Sequence, residues 1–230
     1  MKKLYRLVSR LTPLDITRVL LLDLISVEPV DAEVQQTRLR CSALSAAQLE
    51  KWVPDDSNDL NQQAASSIDD DATVCVGAFI NENLAGYIFF CRSPVEPEKN
   101  SGGSKFTGIG LEFPLQVRYL YKAFVLPEYR GKGVANSILH SAINRFKADG
   151  VTHIVTTTDW TNSSFLQAVS KVGFVHTGVA AEWVVGSWHG YRIPVAVNIR
   201  SNRAQKNLPG NPASQQIHLL KPSKPTQSSA

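Results

Sequence analysis

The sequence predicts an α/β fold in which helices flank a mixed central sheet. An apolar hairpin pattern at residues 73–92 is followed by a strand pattern at 117–126, and helical and strand periods then alternate up to residue 173. The 230 residues are 43% hydrophobic and 19% charged, which is ordinary for a globular protein with a buried core. This order of elements favours a sheet covered by helices over an all-helical or all-strand fold.

The first twelve residues predict a short amphipathic helix that Pro13 ends. Its apolar positions follow the helical spacing: Leu4, Leu7, Val8 and Leu11. Its basic residues lie on another face: Lys2, Lys3, Arg6 and Arg10. Such a helix either packs on the sheet or lies on an anionic membrane surface. We expect packing, since each positive charge adds only about 1 kcal/mol near such a surface.

The next segments alternate between strand and helix patterns. Residues 16–25 and 37–43 are predicted as strands because they are rich in β-branched and aliphatic side chains. A helix is expected from Ser45 to Trp52, with Gln48 at the position of a capping box. The polar stretch 55–71 reads equally as a surface helix or as a loop.

The second half has the clearer signals. The pattern predicts a hairpin of 73–80 and 84–92, followed by a long loop at 93–113. It then predicts a strand at 117–126, a helix at 135–150 and a second strand at 152–158. A helix from Asn162 to Lys171 and a last hairpin that turns near 186–190 follow. Gly150 and Gly173 are placed to end the two helices.

Charge is unevenly distributed along the chain. The 24 Lys and Arg exceed the 20 Asp and Glu by four, and residues 200–230 contribute five basic residues and no acidic one. The first 199 residues therefore sum to −1, so a nucleic-acid partner is not indicated. The sequence predicts one domain over 1–199 and a disordered basic tail over 200–230, because the tail has few large apolar residues.

Cysteine and histidine usage points to a metal-free cytoplasmic protein. Cys41, Cys75 and Cys91 contain no CxxC pair, and two of them lie inside apolar strands, so we expect reduced core thiols. No two histidines have the spacing of metal ligands, so no metal is expected. The sequence contains no apolar run of 18 residues and no pattern of a secretory signal.

The stretch VLPEYRGKGVA, residues 125–135, joins a strand to a helix. Glycines there let the backbone approach a ligand closely, and the helix N-terminus offers unpaired N–H groups and a positive dipole end. Such a turn suits a phosphate or pyrophosphate. It matches neither a P-loop nor a Rossmann fingerprint, because no GxxxxGK occurs and Asn136 stands where the third glycine would be.

The spacing Arg130-x-x-Gly133-x-Ala135 resembles the acyl-CoA signature (Q/R)xxGx(G/A) of the GNAT N-acetyltransferase superfamily. The leading Val125-x-Pro127-x-Tyr129 also fits this pattern. Asn162 followed by Gly173-Phe174 resembles the superfamily's second motif. The resemblance covers about residues 73–199.

The resemblance implies a mostly antiparallel sheet that splays between the strands at 117–126 and 152–158. It implies an enzyme that transfers an acyl group, normally acetyl, from CoA to a primary amine of a small molecule or peptide. The CoA pyrophosphate would be held at the turn, with positive charge from Arg130 and Lys132, by Gly131, Lys132, Gly133, Val134 and Ala135. Phe124, Val125 and Leu126 would pair with the pantetheine arm, amides near Val125 would polarise the thioester, and Asn162 would contact the arm.

Both usual proton-handling positions differ from the family. The position of the general acid is Val169, and that of the catalytic glutamate is Tyr119, which is our candidate catalytic residue. Other candidates near the splay are Tyr121, Asp159, His176 and Glu182. These departures keep open a non-catalytic acyl-CoA-binding or regulatory module. The loop at 93–113 is either part of the acceptor site or a solvated excursion.

Overall fold

Ten strands and four helices make up the part of the chain that the computed structural model describes, which is residues 14–27, 39–54, 59–69, 72–96, 99, 111–185, 188–192, 196–198 and 216–218. The strands are β1 (Leu14–Asp23), β2 (Leu39–Leu44), β3 (Thr73–Ile80), β4 (Asn83–Cys91), β5 (Val117–Val125), β6 (His153–Asp159), β7 (Val175–Val185), β8 (Trp188–Arg192), β9 (Ala196–Asn198) and β10 (Gln216–His218). The helices are α1 (Ala46–Glu50), α2 (Gln62–Ser66), α3 (Val134–Ala148) and α4 (Ser163–Val172).

Eight strands form one mixed sheet in the order β2-β3-β4-β5-β6-β1-β7-β8. Neighbouring strands run antiparallel throughout this sheet except β5 and β6, which run parallel. β9 and β10 pair separately, so a short strand lies inside the segment predicted as a tail. The predicted class, a mostly antiparallel mixed sheet flanked by helices, is confirmed.

β1 lies inside the sheet between β6 and β7 and is buried on both faces. Leu20 and Leu22 pack into the core on the side of α3 and α4, whereas Val19 and Leu21 pack on the opposite side. This position explains why residues 19–22 form an unbroken apolar run and do not alternate with polar residues.

α3 and α4 cover one face of the sheet. One face of α3 is apolar and is buried against β3, β4 and β5: Ile138, Leu139, Ala142 and Phe146. Burial of each large side chain stabilises the fold by roughly 1.5–3 kcal/mol. The helix is therefore fixed to the strand that precedes it, which sets the geometry of the turn between them.

The opposite face is covered by α1, α2 and the base of the 93–113 loop. Val95 and Leu111 form a β-bridge, and the Phe113 amide donates to the Ser93 Oγ at 2.9 Å. Val95, Leu111 and Phe113 are buried against Tyr119 and other residues of this face. The two ends of the loop thus pack against the sheet, and residues 97–98 and 100–110 lie outside the described part.

The predicted helix ends and the predicted hairpin turn are confirmed at four sites. Ser45 and Gln48 form a capping box at α1, which ends at Glu50, and Gly150 and Gly173 adopt φ of +74° and +106° beyond α3 and α4. The hairpin of β3 and β4 turns at Asn81 and Glu82, both with positive φ. The polar stretch at 55–71 contains α2 and a 3-10 turn at Ser67–Asp69.

Three predictions fall on residues outside the described part: the helix at 1–12, the tip of the last hairpin at 186–187 and most of the tail. None of the described helices is long and apolar enough to cross a membrane.

Candidate functional site

β5 and β6 diverge to leave a gap in the sheet. Their parallel ladder pairs residues 117–120 with 153–156 and then stops, although β5 continues to Val125 and β6 to Asp159. The predicted splay is therefore present. We call the space beyond Leu120 and Thr156 the gap.

Two side-chain hydrogen bonds join the strands where the ladder ends. The Thr156 hydroxyl donates to the Leu120 carbonyl oxygen at 2.9 Å. The hydroxyl oxygens of Tyr119 and Thr157 lie 2.6 Å apart. The hydroxyls of Thr156 and Thr157 thus supply the polar groups that close the inner end of the gap.

β5 also carries a bulge beside the gap. Leu120 pairs with Phe90 and Lys122 with Phe89, so Tyr121 is the extra residue. The centroids of the Tyr121 and Phe89 rings are 5.6 Å apart, and the Lys99 ammonium nitrogen lies 5.8 Å from the centroid of the Tyr121 ring. Burial raises the pKa of the Tyr121 phenol. A bulge locally interrupts the ladder and redirects backbone groups.

The glycine turn at the start of α3 is open. Gly131 and Gly133 have φ of +74° and +77°, and a Cβ added to either would meet nothing within 4 Å. Gly133 is the N-cap, no side chain caps this helix, and its first bond runs from the Ser137 amide to the Gly133 carbonyl at 3.0 Å. The preceding amides have no helical acceptor, so the turn fits an anionic ligand that approaches the backbone.

The charged side chains of the turn pack back on the protein. Arg130 Nε donates to the Val125 carbonyl oxygen at 3.0 Å, and its guanidinium carbon lies 5.8 Å from the Phe124 ring centroid. The Lys132 ammonium lies 5.6 Å from the Tyr129 ring centroid. Both cations are exposed, whereas the Val134 side chain is buried in the core. Val134 can therefore offer a ligand only its backbone, as the two glycines do.

The three strand residues predicted to pair with pantetheine differ in the direction that their backbone groups face. The Leu126 amide donates to the Ala85 carbonyl oxygen at 3.0 Å, so the sheet already uses it. A Cβ added to Gly86 would lie 2.7 Å from the Phe124 carbonyl oxygen, so this carbonyl also faces β4. Because backbone groups alternate along a strand, Val125 is the residue of the three whose backbone faces the gap.

Asn162 caps α4 and faces the neighbouring strand end. Its Oδ1 accepts from the Phe165 amide at 3.3 Å and from the Ser164 hydroxyl at 3.2 Å, and its Nδ2 donates to the Thr158 hydroxyl at 3.3 Å. The predicted start of this helix at Asn162 is confirmed. The bond to Thr158 uses one of the two Nδ2 hydrogens.

The candidate proton handlers are differently placed. Val169 is 0% exposed within α4, and Tyr119 is 1% exposed. Asp159 Oδ1 accepts from the Thr161 amide at 2.5 Å. His176 is exposed on β7, and the backbone of Glu182 pairs with Asp15. The structure brings Tyr119, Tyr121 and Asp159 to the strands that border the gap.

A polar cluster beside β5 had no signal in the sequence. The Tyr87 phenol donates to the Asp59 carboxylate, and Lys122 Nζ lies 2.7 Å from the Asp59 carbonyl oxygen and 3.5 Å from Oδ1. Burial and the Asp59 carboxylate raise the pKa of Tyr87. Sequence separations of 28 and 63 residues hide such contacts from pattern analysis. The cluster ties the segment before α2 to the strand that borders the gap.

Across the described ranges, no three His, Cys, Asp or Glu side chains lie close enough to hold a metal ion. Cys41, Cys75 and Cys91 are free thiols. Burial raises the pKa of Cys41 to about 11 and that of Cys91 to about 12, so these thiols are protonated at neutral pH.

Comparison with known proteins places this geometry in a family. A family model described as the Acetyltransferase (GNAT) family matches residues 38–174, more than half of the chain. No curated protein matches the sequence. Solved structures of similar shape include a Drosophila protein, with 12% identity, a TM-score of 0.50 and coverage of 78% of this chain and 55% of that one.

Two other solved structures match with lower TM-scores. AAC(6')-Iy in complex with a bisubstrate analogue of CoA is 17% identical, with a TM-score of 0.46 and coverage of 62% of this chain and 94% of that one. A ribosomal-protein-alanine N-acetyltransferase from Brucella melitensis biovar Abortus 2308 is 15% identical, with a TM-score of 0.43 and coverage of 68% and 99%. At such identities a structural likeness bears on the fold alone.

Proposed function

The chain belongs to the GNAT acetyltransferase family, and from this membership we propose that it transfers an acyl group, acetyl in the simplest case, from CoA to a primary amine by direct attack. The observation that carries the proposal is the adjacency of two features. The open glycine turn at Gly131 and Gly133 lies directly after the strand that borders the gap. A pyrophosphate and an extended arm need these two features in this order.

The donor would be oriented by backbone groups on both sides. Amides from Gly131 to Ala135 would hold the pyrophosphate, and the dipole of α3 would add to the attraction. The Val125 amide would pair with the arm as a neighbouring strand does, and Asn162 would donate its remaining Nδ2 hydrogen at the other side. Acetyl-CoA would supply an activated thioester, and β5 amides that face the gap would polarise its carbonyl.

Proton transfer would depend less on protein side chains than is usual in the family. A thiolate leaves without an acid more readily than an alkoxide does, since the pKa of a thiol is only about 8.5. Tyr119, at the position that the resemblance assigns to the catalytic glutamate, is our candidate catalytic residue. Its enclosed phenol is neutral and is hydrogen-bonded to Thr157, so the two hydroxyls would relay one proton: they would take up the proton that the attacking amine loses as they release one to the departing thiolate.

The acceptor would approach from the face that carries Tyr119 and Tyr121. The base of the 93–113 loop packs on that face, and Lys99 contacts the Tyr121 ring. We therefore assign the loop a part in acceptor binding. Deletion of residues 100–104, which spares Lys99 and the Val95–Leu111 bridge, should change the Michaelis constant for the acceptor more than that for acetyl-CoA. Equal or absent changes in both constants would leave the loop without this role.

A second function has its own support. Val169 is buried in the core and Tyr119 is enclosed, so the two positions that usually carry the acid and the base offer no exposed acid or base here. A non-catalytic module that binds acyl-CoA or has a regulatory role would need no exposed acid or base at these two positions.

One experiment separates the two functions. Purified protein is incubated with acetyl-CoA and a broad amine panel, and free thiol and acetylated products are followed by absorbance and mass spectrometry. The enzyme should release CoA in proportion to an acetylated amine. Calorimetric binding of CoA without release for any amine would support the module, and absence of binding would exclude both.

A further inference from the structure

The inner end of the gap is closed by Tyr119 and Thr157, and we propose that this pair limits the acyl group to short chains. The inference rests on the proposed acyl transfer and assigns that site its donor specificity. It gives Tyr119 a part beyond proton transfer, since its ring would bound the space that the acyl group occupies.

The position of the acyl group follows from the shape of the sheet. An extended arm can add to β5 only where β6 has left it, which is between Tyr121 and Val125. At Leu120 and Thr156, β5 and β6 are again paired with each other and leave no room for an added strand. An arm that enters past the turn at Gly133 and runs along β5 must therefore end, with its acyl group, against these residues.

The residues at that end leave no continuing channel. Tyr119, Leu120, Val155 and Thr156 are each at most 2% exposed. The Tyr119 ring stacks on the Phe113 ring, with centroids 6.0 Å apart and planes at 19°, and its hydroxyl oxygen is 2.6 Å from that of Thr157. The ring is held on its face by an aromatic neighbour and at its tip by a hydrogen bond, so it cannot swing aside without loss of both.

This closure predicts a steep dependence on chain length. A methylene that does not fit a tight apolar pocket changes selectivity by roughly 10- to 200-fold. We expect acetyl-CoA and propionyl-CoA to be used, and kcat/KM for butyryl-CoA to be at least about 100-fold below that for acetyl-CoA.

The test compares variants by the ratio of kcat/KM for acetyl-CoA to that for butyryl-CoA, measured with one amine. Tyr119→Leu removes the aromatic ring and should lower the ratio by about tenfold or more, which is the effect of one methylene. Tyr119→Phe keeps the ring and removes the hydroxyl, so its ratio should stay high even where its absolute rate falls. A ratio cancels any loss of proton transfer that both donors share, so a purely catalytic or structural role would not produce this pattern.

Thr157→Ala is a second variant that enlarges the same space. Thr157 is only half-buried, so its truncation should destabilise the fold less than Tyr119→Leu does. It shortens the side chain that closes the gap beside the Tyr119 ring and should also lower the ratio, whereas loss of the hydrogen bond alone, as in Tyr119→Phe, should not. An unchanged ratio in both Tyr119→Leu and Thr157→Ala overturns the proposal, and so does a wild-type protein that uses butyryl-CoA as well as acetyl-CoA.

Binding separates this inference from the proposed function. If the wild type transfers no acyl group to any amine, calorimetry of the acyl-CoA series still reports the fit. Affinity should then drop between propionyl-CoA and butyryl-CoA in the wild type and not in Tyr119→Leu. A flat series in the wild type would overturn the length limit whatever the activity.

Discussion

Arg130 reaches back across its own turn and donates its Nε hydrogen to the carbonyl oxygen of Val125, 3.0 Å away. This carbonyl faces the gap, where no strand is present to satisfy it. The bond therefore ties the end of β5 to the glycine turn that begins α3. Glutamine and arginine both carry a planar N–H donor at this reach, which gives a physical reason for the first position of the acyl-CoA signature.

Loss of this bond should weaken CoA binding more than loss of the neighbouring charge does. Arg130→Ala frees the turn from the strand, and a hydrogen bond from a charged donor contributes about 1.5–3 kcal/mol. We expect affinity for CoA to fall at least about tenfold, since 1.4 kcal/mol corresponds to a factor of ten. Lys132→Ala is the matched control, because it removes an exposed cation that makes no such bond. Calorimetry that gives equal losses for the two variants would contradict the account.

The openness of the turn predicts a selective defect for Gly133→Glu. CoA at a hundred times its dissociation constant should raise the free energy of unfolding of the wild type by about 2.7 kcal/mol. Gly133→Glu places bulk and negative charge where the pyrophosphate would lie, so its melting temperature should not respond to CoA. Gly150→Glu is the control: Gly150 has φ of +74° and open space, but lies at the other end of α3. Both variants should lose similar intrinsic stability, and a Gly133→Glu protein that still responds would place CoA elsewhere.

Asn162 should contribute to both stability and binding. Asn162→Ala removes a helix cap, which costs about 1 kcal/mol. Asn61 caps α2 in the same way, through a bond from the Ala64 amide at 2.8 Å, and lies outside the gap. Asn61→Ala should therefore lose similar stability in denaturant titrations and keep the affinity for CoA, whereas Asn162→Ala should lose both. Retained affinity in Asn162→Ala would restrict its role to the cap.

His153 should make the fold sensitive to mild acid. Burial lowers its pKa, an effect that Asp23 opposes, with the two side chains 4.0 Å apart. The folded state therefore favours the neutral ring. Stability from this group is fully present above the unfolded pKa of about 6.5 and is lost as pH falls below it. The largest possible slope is about 1.4 kcal/mol per pH unit, for one proton.

His153→Asn should flatten this part of the pH profile. Denaturant titrations between pH 7.5 and 5 should show a smaller fall in the free energy of unfolding for the variant than for the wild type. Parallel curves would show that other groups carry the acid sensitivity.

The sequence predicted the parts of the fold that depend on local chemistry. Ser45, Gly150, Gly173 and the Asn81 turn act through neighbours a few residues away, so their roles were readable from spacing. The place of β1 between β6 and β7 was not readable, because strand order depends on contacts between distant segments. The glycine turn was predicted for the same reason as the caps: its φ values and its open amides belong to one short stretch.

The remaining features of the site could not be read from one sequence. The bond between Tyr119 and Thr157 joins residues 38 positions apart, and the cluster of Asp59, Tyr87 and Lys122 joins three elements. The use of the Leu126 amide by Ala85 follows from strand register, which the sequence left open. Of the three residues predicted to contact the arm, this register favours Val125.

The most direct test of the account is hydrogen exchange of the backbone amides with and without CoA, read by mass spectrometry at single-residue resolution. The account predicts that CoA slows exchange at Gly131 to Ala135 and at Val125, and leaves Leu126, whose amide already bonds to Ala85, and Gly150 unchanged. Tight CoA binding, shown by calorimetry, without added protection at the turn and at Val125 would contradict it.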